Sequence, residues 1–180
     1  MVHDPWVTDA EKLGALYLFR EVPKAELRKL CILAPPTRLS AGSVLFEQGE
    51  SANIAMLLVE GRLEVSVQSG DQRRRVGDVR PGEIVGELAL FSRGGQRSAS
   101  VEAAEASKCL LLSWELLEKA SRNQAIIALE AHLLGTMARR IRSTNTVIQT
   151  AWKDSGPENA EKNESGSVLD RLRSLLRGAS

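Results

Sequence analysis

The stretch that organises this chain is Pro81-Gly82-Glu83-Ile84-Val85-Gly86-Glu87-Leu88-Ala89-Leu90-Phe91, followed after a Gly94-Gly95 loop by Arg97-Ser98-Ala99. A short apolar strand meets a glycine, then a carboxylate, then a helix-like turn, and a lone arginine precedes small residues. The first N–H groups of such a turn have no partner inside it and suit an anion, phosphate above all. Gly86 lets the backbone approach closely. Arg97 can meet the same phosphate through its planar fork of donors, while Glu87, an acceptor only, suits a sugar hydroxyl. Phosphate plus sugar hydroxyl means a nucleotide. The bland alternative is that Glu87 and Arg97 are surface charges, or simply pair with each other.

Outward from this stretch, glycines punctuate the middle of the chain. Nine of the fourteen fall from Gly42 to Gly95, and the segments between them are short and often alternate apolar with polar, the pattern of hairpins. Residues 43–46, 54–59, 63–67 and 99–112 read as strands of an antiparallel, closed or sandwich-like β structure. Arg73-Arg74-Arg75, beside Gly70 and Gly77, reads as an exposed hairpin rather than a nucleic-acid contact.

Both flanks change period. Thr8-Asp9-Ala10-Glu11 has the form of a capping box opening a helix over 8–19, and Pro23 can open a second through Leu27, Leu30 and Cys31. Ser113 can cap a short helix over 114–121, and Asn123 a long one that meets no proline until Pro157. In the long helix Ile127, Leu134, Ile141 and Ile148 recur every seven residues, with Glu130, Met137, Thr144 and Ala151 at the companion positions. A coiled-coil dimer and packing against the chain's own β unit both explain that stripe. Domain 1–152 is followed by 153–167, poor in apolar residues and expected to be a disordered linker, and by a short amphipathic tail over 168–180 with Leu169, Leu172 and Leu176 on one face.

At 180 residues and net charge +1, the chain has the size of one domain plus an appendage, with no global charge to draw it to nucleic acid or membranes. Two cysteines, Cys31 and Cys109, lie in apolar runs and read as small buried hydrophobes in a reducing compartment. His3 and His132 are too few and too far apart for a metal cluster or triad. No signal peptide or membrane span is evident, so the expected location is cytoplasmic.

The cassette residues, Gly86-Glu87-Leu88-Ala89-Leu90, six residues, then Arg97-Ser98-Ala99, resemble the phosphate-binding cassette of the cyclic nucleotide-binding domain family. Ala41 to Glu50 and Leu57 to Val65 match that family's glycine-marked strands, and the resemblance runs from about Leu18 to about Trp152. In detail the cassette and Met137-Ala138-Arg139-Arg140 look most like the bacterial catabolite-activator group, with Gln96 where many eukaryotic members have proline. The resemblance implies a mainly β fold: a jelly roll with N-terminal helices and a long C-terminal helix whose movement reports ligand. It also implies that Arg97 pairs with the cyclic phosphate, Glu87 accepts from the ribose 2'-OH, and backbone N–H groups around Leu88, Ala89, Ser98 and Ala99 complete the cradle, with Ser98 adding its hydroxyl. Thr144 and Asn145 correspond to positions that contact the purine edge, given a length change of about one helical turn upstream.

The expected function is a stand-alone cyclic nucleotide receptor without a cofactor, its ligand cAMP or cGMP with cAMP favoured, signalling through the long helix to a second copy or an effector protein. The expected partners include no sequence-specific nucleic acid and no membrane. Without a positioned nucleophile, metal set or phosphate-binding Walker loop, no enzyme activity is expected. The alternatives are a ligand-free interaction scaffold, or a truncated transcription regulator of the catabolite-activator type. The latter is disfavoured because a helix-turn-helix reader needs on the order of 40 residues beyond Trp152.

Overall fold

A computed structural model describes residues 5–91 and 95–154. Two four-stranded antiparallel sheets face each other as a β jelly roll. One has the order β1-β8-β3-β6, the other β2-β7-β4-β5. The strands are β1 (Thr37–Leu39), β2 (Val44–Phe46), β3 (Ile54–Glu60), β4 (Leu63–Ser69), β5 (Gln72–Val79), β6 (Ile84–Val85), β7 (Ser100–Ala103) and β8 (Ser107–Ser113). The helices are α1 (Pro5–Ala15), α2 (Lys24–Leu33), α3 (Leu88–Phe91), α4 (Trp114–Lys119) and α5 (Gln124–Asp154), with a 3-10 turn at Tyr17–Phe19. Among the described residues no helix is long and apolar enough to cross a membrane.

Period-2 alternation explains how two cores form on one sheet. Along β3, Ala55, Leu57 and Val59 turn outward and pack with Leu110 and Leu112 of β8 under α1, α2, α4 and the start of α5. Leu58 and Cys109, on the opposite faces of the same strands, turn inward to meet Phe46, Leu63, Val79, Val101 and Ala103 between the sheets. Both cysteines are fully buried, and loss of water pushes each thiol up to about 11.

Several helix starts follow the sequence signals. Pro23 precedes α2, and the hydroxyl oxygen of Ser113 accepts from Leu116 N–H at 3.2 Å. Asn123 Oδ1 accepts from Ala125 N–H at 2.8 Å, and Asn123 Nδ2 donates to Glu26 O at 3.1 Å, so one side chain both caps α5 and ties it to α2.

Other expectations need correction. The first helix starts at Pro5 rather than at Thr8, because proline is already shaped for a first helical turn. Thr8 through Glu11 are therefore interior positions, and Asp9 is 7% exposed, paired with Lys108. The 99–112 stretch is two strands of opposite sheets, β7 and β8. The exposed hairpin expected at Arg73-Arg74-Arg75, by contrast, is present: the three lie exposed on β5, hairpinned to β4 with Ser69 opposite Gln72. There Arg73 pairs with Glu102 and Arg75 with Glu64 and Asp78.

The chain divides at Gly135 into two units, and α5 contributes to both. In the first, α5 buries Ala125, Ile126, Leu129 and Leu133 while Ile127 and Leu134 stay 52% and 64% exposed. In the second, residues 136–154 continue the helix with Ile141 and Ile148 on its surface. The helix includes Lys153 and Asp154 of the expected linker. The rest of 153–167 and the 168–180 tail lie outside the described residues.

Candidate functional site

The cassette lies where β6 leaves its sheet and β7 begins. Gly86 follows β6 directly and has φ +76, a conformation open to glycine and costly for other residues. A Cβ there would stand 2.5 Å from Arg97 Nη1 and 3.0 Å from the Phe46 ring, so the glycine is needed for both its conformation and its lack of a side chain. Glu87 follows, 4% exposed, and its carbonyl accepts from Leu90 N–H at 3.0 Å, closing the single turn of α3. Leu88 and Ala89 are the first residues of that turn, where N–H groups have no acceptor within the helix. Leu88 is 55% exposed.

Arg97 is brought to Gly86 from the other side. Its backbone is clamped by the β2–β3 connection: Arg97 N–H donates to Glu50 O, and Gly49 N–H donates to Arg97 O, both at 2.8 Å. Ala52 N–H donates to Gly95 O at 2.9 Å, and Ser51 bridges to Gln96. Arg97 is 7% exposed, and its guanidinium donates through Nη1 to Gly86 O at 3.4 Å and lies with Cζ 3.5 Å from the centre of the Phe46 ring. Among the described residues no carboxylate sits at ion-pair distance from it. Loss of water lowers its pKa, and the charge of Glu50 opposes that shift. An arginine stays charged even so. A buried cation without a carboxylate is a place for an anion, since leaving it uncompensated is costly.

Gly86, Glu87, Leu88 and Arg97 therefore converge, and the alternative of a Glu87–Arg97 ion pair does not occur. Ser98 is exposed and Ala99 half-buried on the same segment. Thr144 and Asn145 are exposed positions of α5 in the second unit.

Two contributors escaped the sequence reading. Phe46 underlies Arg97. Gln48 grips β4 with its side-chain amide, Oε1 accepting from Gln68 N–H at 2.7 Å and Nε2 donating to Gln68 O at 3.2 Å, while Gln48 N–H donates to Ser100 Oγ at 3.0 Å. This amide imitates a strand's backbone and anchors the connection that clamps Arg97. The glutamine lies in the glycine-marked run, but its target 20 residues away is a matter of register.

A further contact lies at the turn that precedes β6. Gly82, φ +91, turns the chain into β6, and a Cβ there would stand 2.8 Å from the Tyr17 ring. The same ring meets His132 of α5 edge to face, centroids 5.3 Å apart, with the Tyr17 hydroxyl 3.2 Å from His132 Nε2.

Residues 36–124 match the family model of the cyclic nucleotide-binding domain. The chain is 38% identical over 96 residues to acetyltransferase Pat of Mycolicibacterium smegmatis, covering 53% of this chain and 28% of Pat. It is 29% identical over 107 residues to the cAMP-activated global transcriptional regulator CRP of Salmonella typhimurium, covering 59% of this chain and 50% of that protein. The structure is similar to that of the Thermus thermophilus catabolite activator protein, with TM-score 0.62 and 27% identity over 74% of this chain and 62% of that one. The chain thus spans half or less of the curated relatives just named. The similarity to Pat overturns the expectation of no enzyme activity: the matched segment is part of a protein named for acetyl transfer. Lack of a nucleophile in a binding domain does not exclude catalysis by a protein that carries the domain.

Proposed function

Residues 36–124 belong to the cyclic nucleotide-binding domain family, and from that premise we propose that this chain is a regulatory module that binds a 3',5'-cyclic mononucleotide, cAMP in preference to cGMP. Arg97 takes the cyclic phosphate, Glu87 accepts from the ribose 2'-OH, and N–H groups of Leu88, Ala89, Ser98 and Ala99 complete the cradle. Thr144 and Asn145, which lie in the second unit, are the residues that the family resemblance assigns to the purine. The observation that carries the reading is Arg97: a cation 7% exposed, with no carboxylate at ion-pair distance among the described residues, beside the glycine that opens α3. The preference for cAMP rests on the relatives named as cAMP-activated or cAMP-binding.

The output runs through α5. His132 touches Tyr17, and Tyr17 packs on Gly82, four residues before Gly86. A ligand that draws in the cassette strains this chain of contacts, and it shifts α5 only as far as the two states differ in contact free energy. The exposed seam of Ile127, Leu134, Ile141 and Ile148 then engages a second copy or an effector. A second reading, favoured by the 38% identity to Pat, is that the module gates an acetyl-transferring domain.

Calorimetry against cAMP, cGMP and cyclic dinucleotides tests the ligand. Single-site binding with cAMP tightest supports the reading. Silence with all of them refutes it and leaves a ligand-free scaffold.

A further inference from the structure

Phe46 owes its place to an irregularity. β2 has three residues, and its pairing with β7 slips between Val44, opposite Glu102, and Phe46, opposite Val101. Strict alternation would send Val44 and Phe46 to the same face. Instead Val44 is 51% exposed and Phe46 is 4% exposed, and both Leu45 and Phe46 pack between the sheets. A bulge turns two successive side chains inward, a device that re-aims a residue beside a site. The second of them ends 3.5 Å under the Arg97 guanidinium.

The choice of an aromatic ring has chemical consequences. A guanidinium taken out of water needs an electrostatic partner, and the negative face of a ring provides one. A carboxylate would do so by occupying the N–H donors and adding a charge that repels phosphate. A ring stacked on the guanidinium face leaves the five donors, which lie in the guanidinium plane, pointing outward. One of them spans the 3.4 Å to Gly86 O. The remaining donors keep a fixed direction.

We propose that Phe46 is a positioning residue for the anion: its ring holds the Arg97 guanidinium in the orientation that receives the cyclic phosphate and keeps it from turning to Glu50 or to water. The inference rests on the reading of Arg97 as the phosphate ligand. Without the ring, only a fraction of molecules hold Arg97 ready, and apparent affinity falls by that fraction.

The test replaces Phe46 with mono-, di- and trifluorophenylalanine, which weaken the ring's negative face at nearly constant shape, and titrates each protein with cAMP. Affinity should fall stepwise, by about three- to thirtyfold at the end of the series, with little change in Tm. Phe46→Tyr should bind like the wild type, and Phe46→Leu like the most fluorinated protein. A flat series, or a folded Phe46→Leu protein with unchanged affinity, overturns the proposal. A second arm needs no nucleotide: in the free wild-type protein the Arg97 Nε–Hε resonance should be displaced by the ring current and return toward its ordinary position in Phe46→Leu. An undisplaced wild-type resonance overturns the proposal. A displaced resonance in a protein that binds no cyclic nucleotide supports the ring's hold on Arg97 and counts against the ligand reading alone.

Discussion

Asp9 of α1 and Lys108 of β8, 99 residues apart, form an ion pair whose side chains are each 10% exposed. Lys108 stands opposite Glu60 across the β3–β8 ladder, and Glu60 in turn takes Lys12 of α1 at 2.6 Å. Two contacts of opposite sense thus seat the first helix in one register. Breaking a buried pair strands a charge at a cost of about 3–5 kcal/mol, whereas replacing both partners by apolar residues is close to neutral. Lys108→Met should therefore lower urea stability by several kcal/mol, and Asp9→Leu with Lys108→Met should recover most of it. A loss under about 1 kcal/mol in the single variant would mean that water reaches the pair.

At the cassette, Arg97→Ala should weaken cAMP binding at least tenfold, about the worth of one charge-assisted hydrogen bond, in a protein that still unfolds cooperatively. Glu87→Gln should weaken it less, since an amide oxygen still accepts from a hydroxyl. Calorimetry on the two variants checks the order, and the reverse order would exchange their roles.

Gly86→Ala combines a strained backbone with a methyl group 2.5 Å from Arg97 Nη1. About 1–2 kcal/mol of stability should be lost to the conformation, and cAMP affinity should fall as well because the guanidinium is displaced. Thermal unfolding and titration together check this; full retention of affinity would show that Arg97 has room to yield.

Neighbouring leucines of α5 should behave in opposite ways. Leu133 is 1% exposed and Leu134 is 64% exposed. Leu133→Asp should unfold the protein, since it buries an unpaired charge. Leu134→Asp should leave the fold and the nucleotide affinity intact while weakening association in sedimentation. Unaltered association would remove the seam from the output.

The two thiols tie stability to alkaline pH. Each is raised from 9.0 in the unfolded chain to about 11 in the folded one, so the folded state favours the protonated form. Their contribution is complete below about pH 9 and is lost as pH rises through about 11. The urea midpoint should fall across that window, and Cys31→Ala with Cys109→Ala should flatten the fall. An equally steep fall in the double variant would place the titration elsewhere.

What the sequence reveals of this protein is what neighbours along the chain can specify. Glycine spacing marks the hairpins, Pro23, Ser113 and Asn123 mark helix starts, and Gly86 to Ala99 contains most of the cassette in fourteen consecutive residues. The glycine-marked run at 41–50 shows β2, but not that its pairing slips and turns Phe46 toward Arg97. Gln48 finds Gln68, and Asp9 finds Lys108, only after strands have chosen partners. Thr8 to Glu11 misleads because a local capping pattern competes with a proline three residues earlier and loses. The seven-residue stripe on α5 was compatible with two faces. The structure separates them: Ile126, Leu129 and Leu133 serve the core, leaving Ile127 and Leu134 outside.

β3 and β8 serve as a party wall between two rooms. Leu57 looks into the helical room and Leu58, the next residue, into the room lined by Phe46. Neither strand can tilt to suit an occupant on one side without pressing on the furniture of the other. A substitution at Leu57 should thus alter how the cassette holds its anion, although its side chain faces away from the cassette.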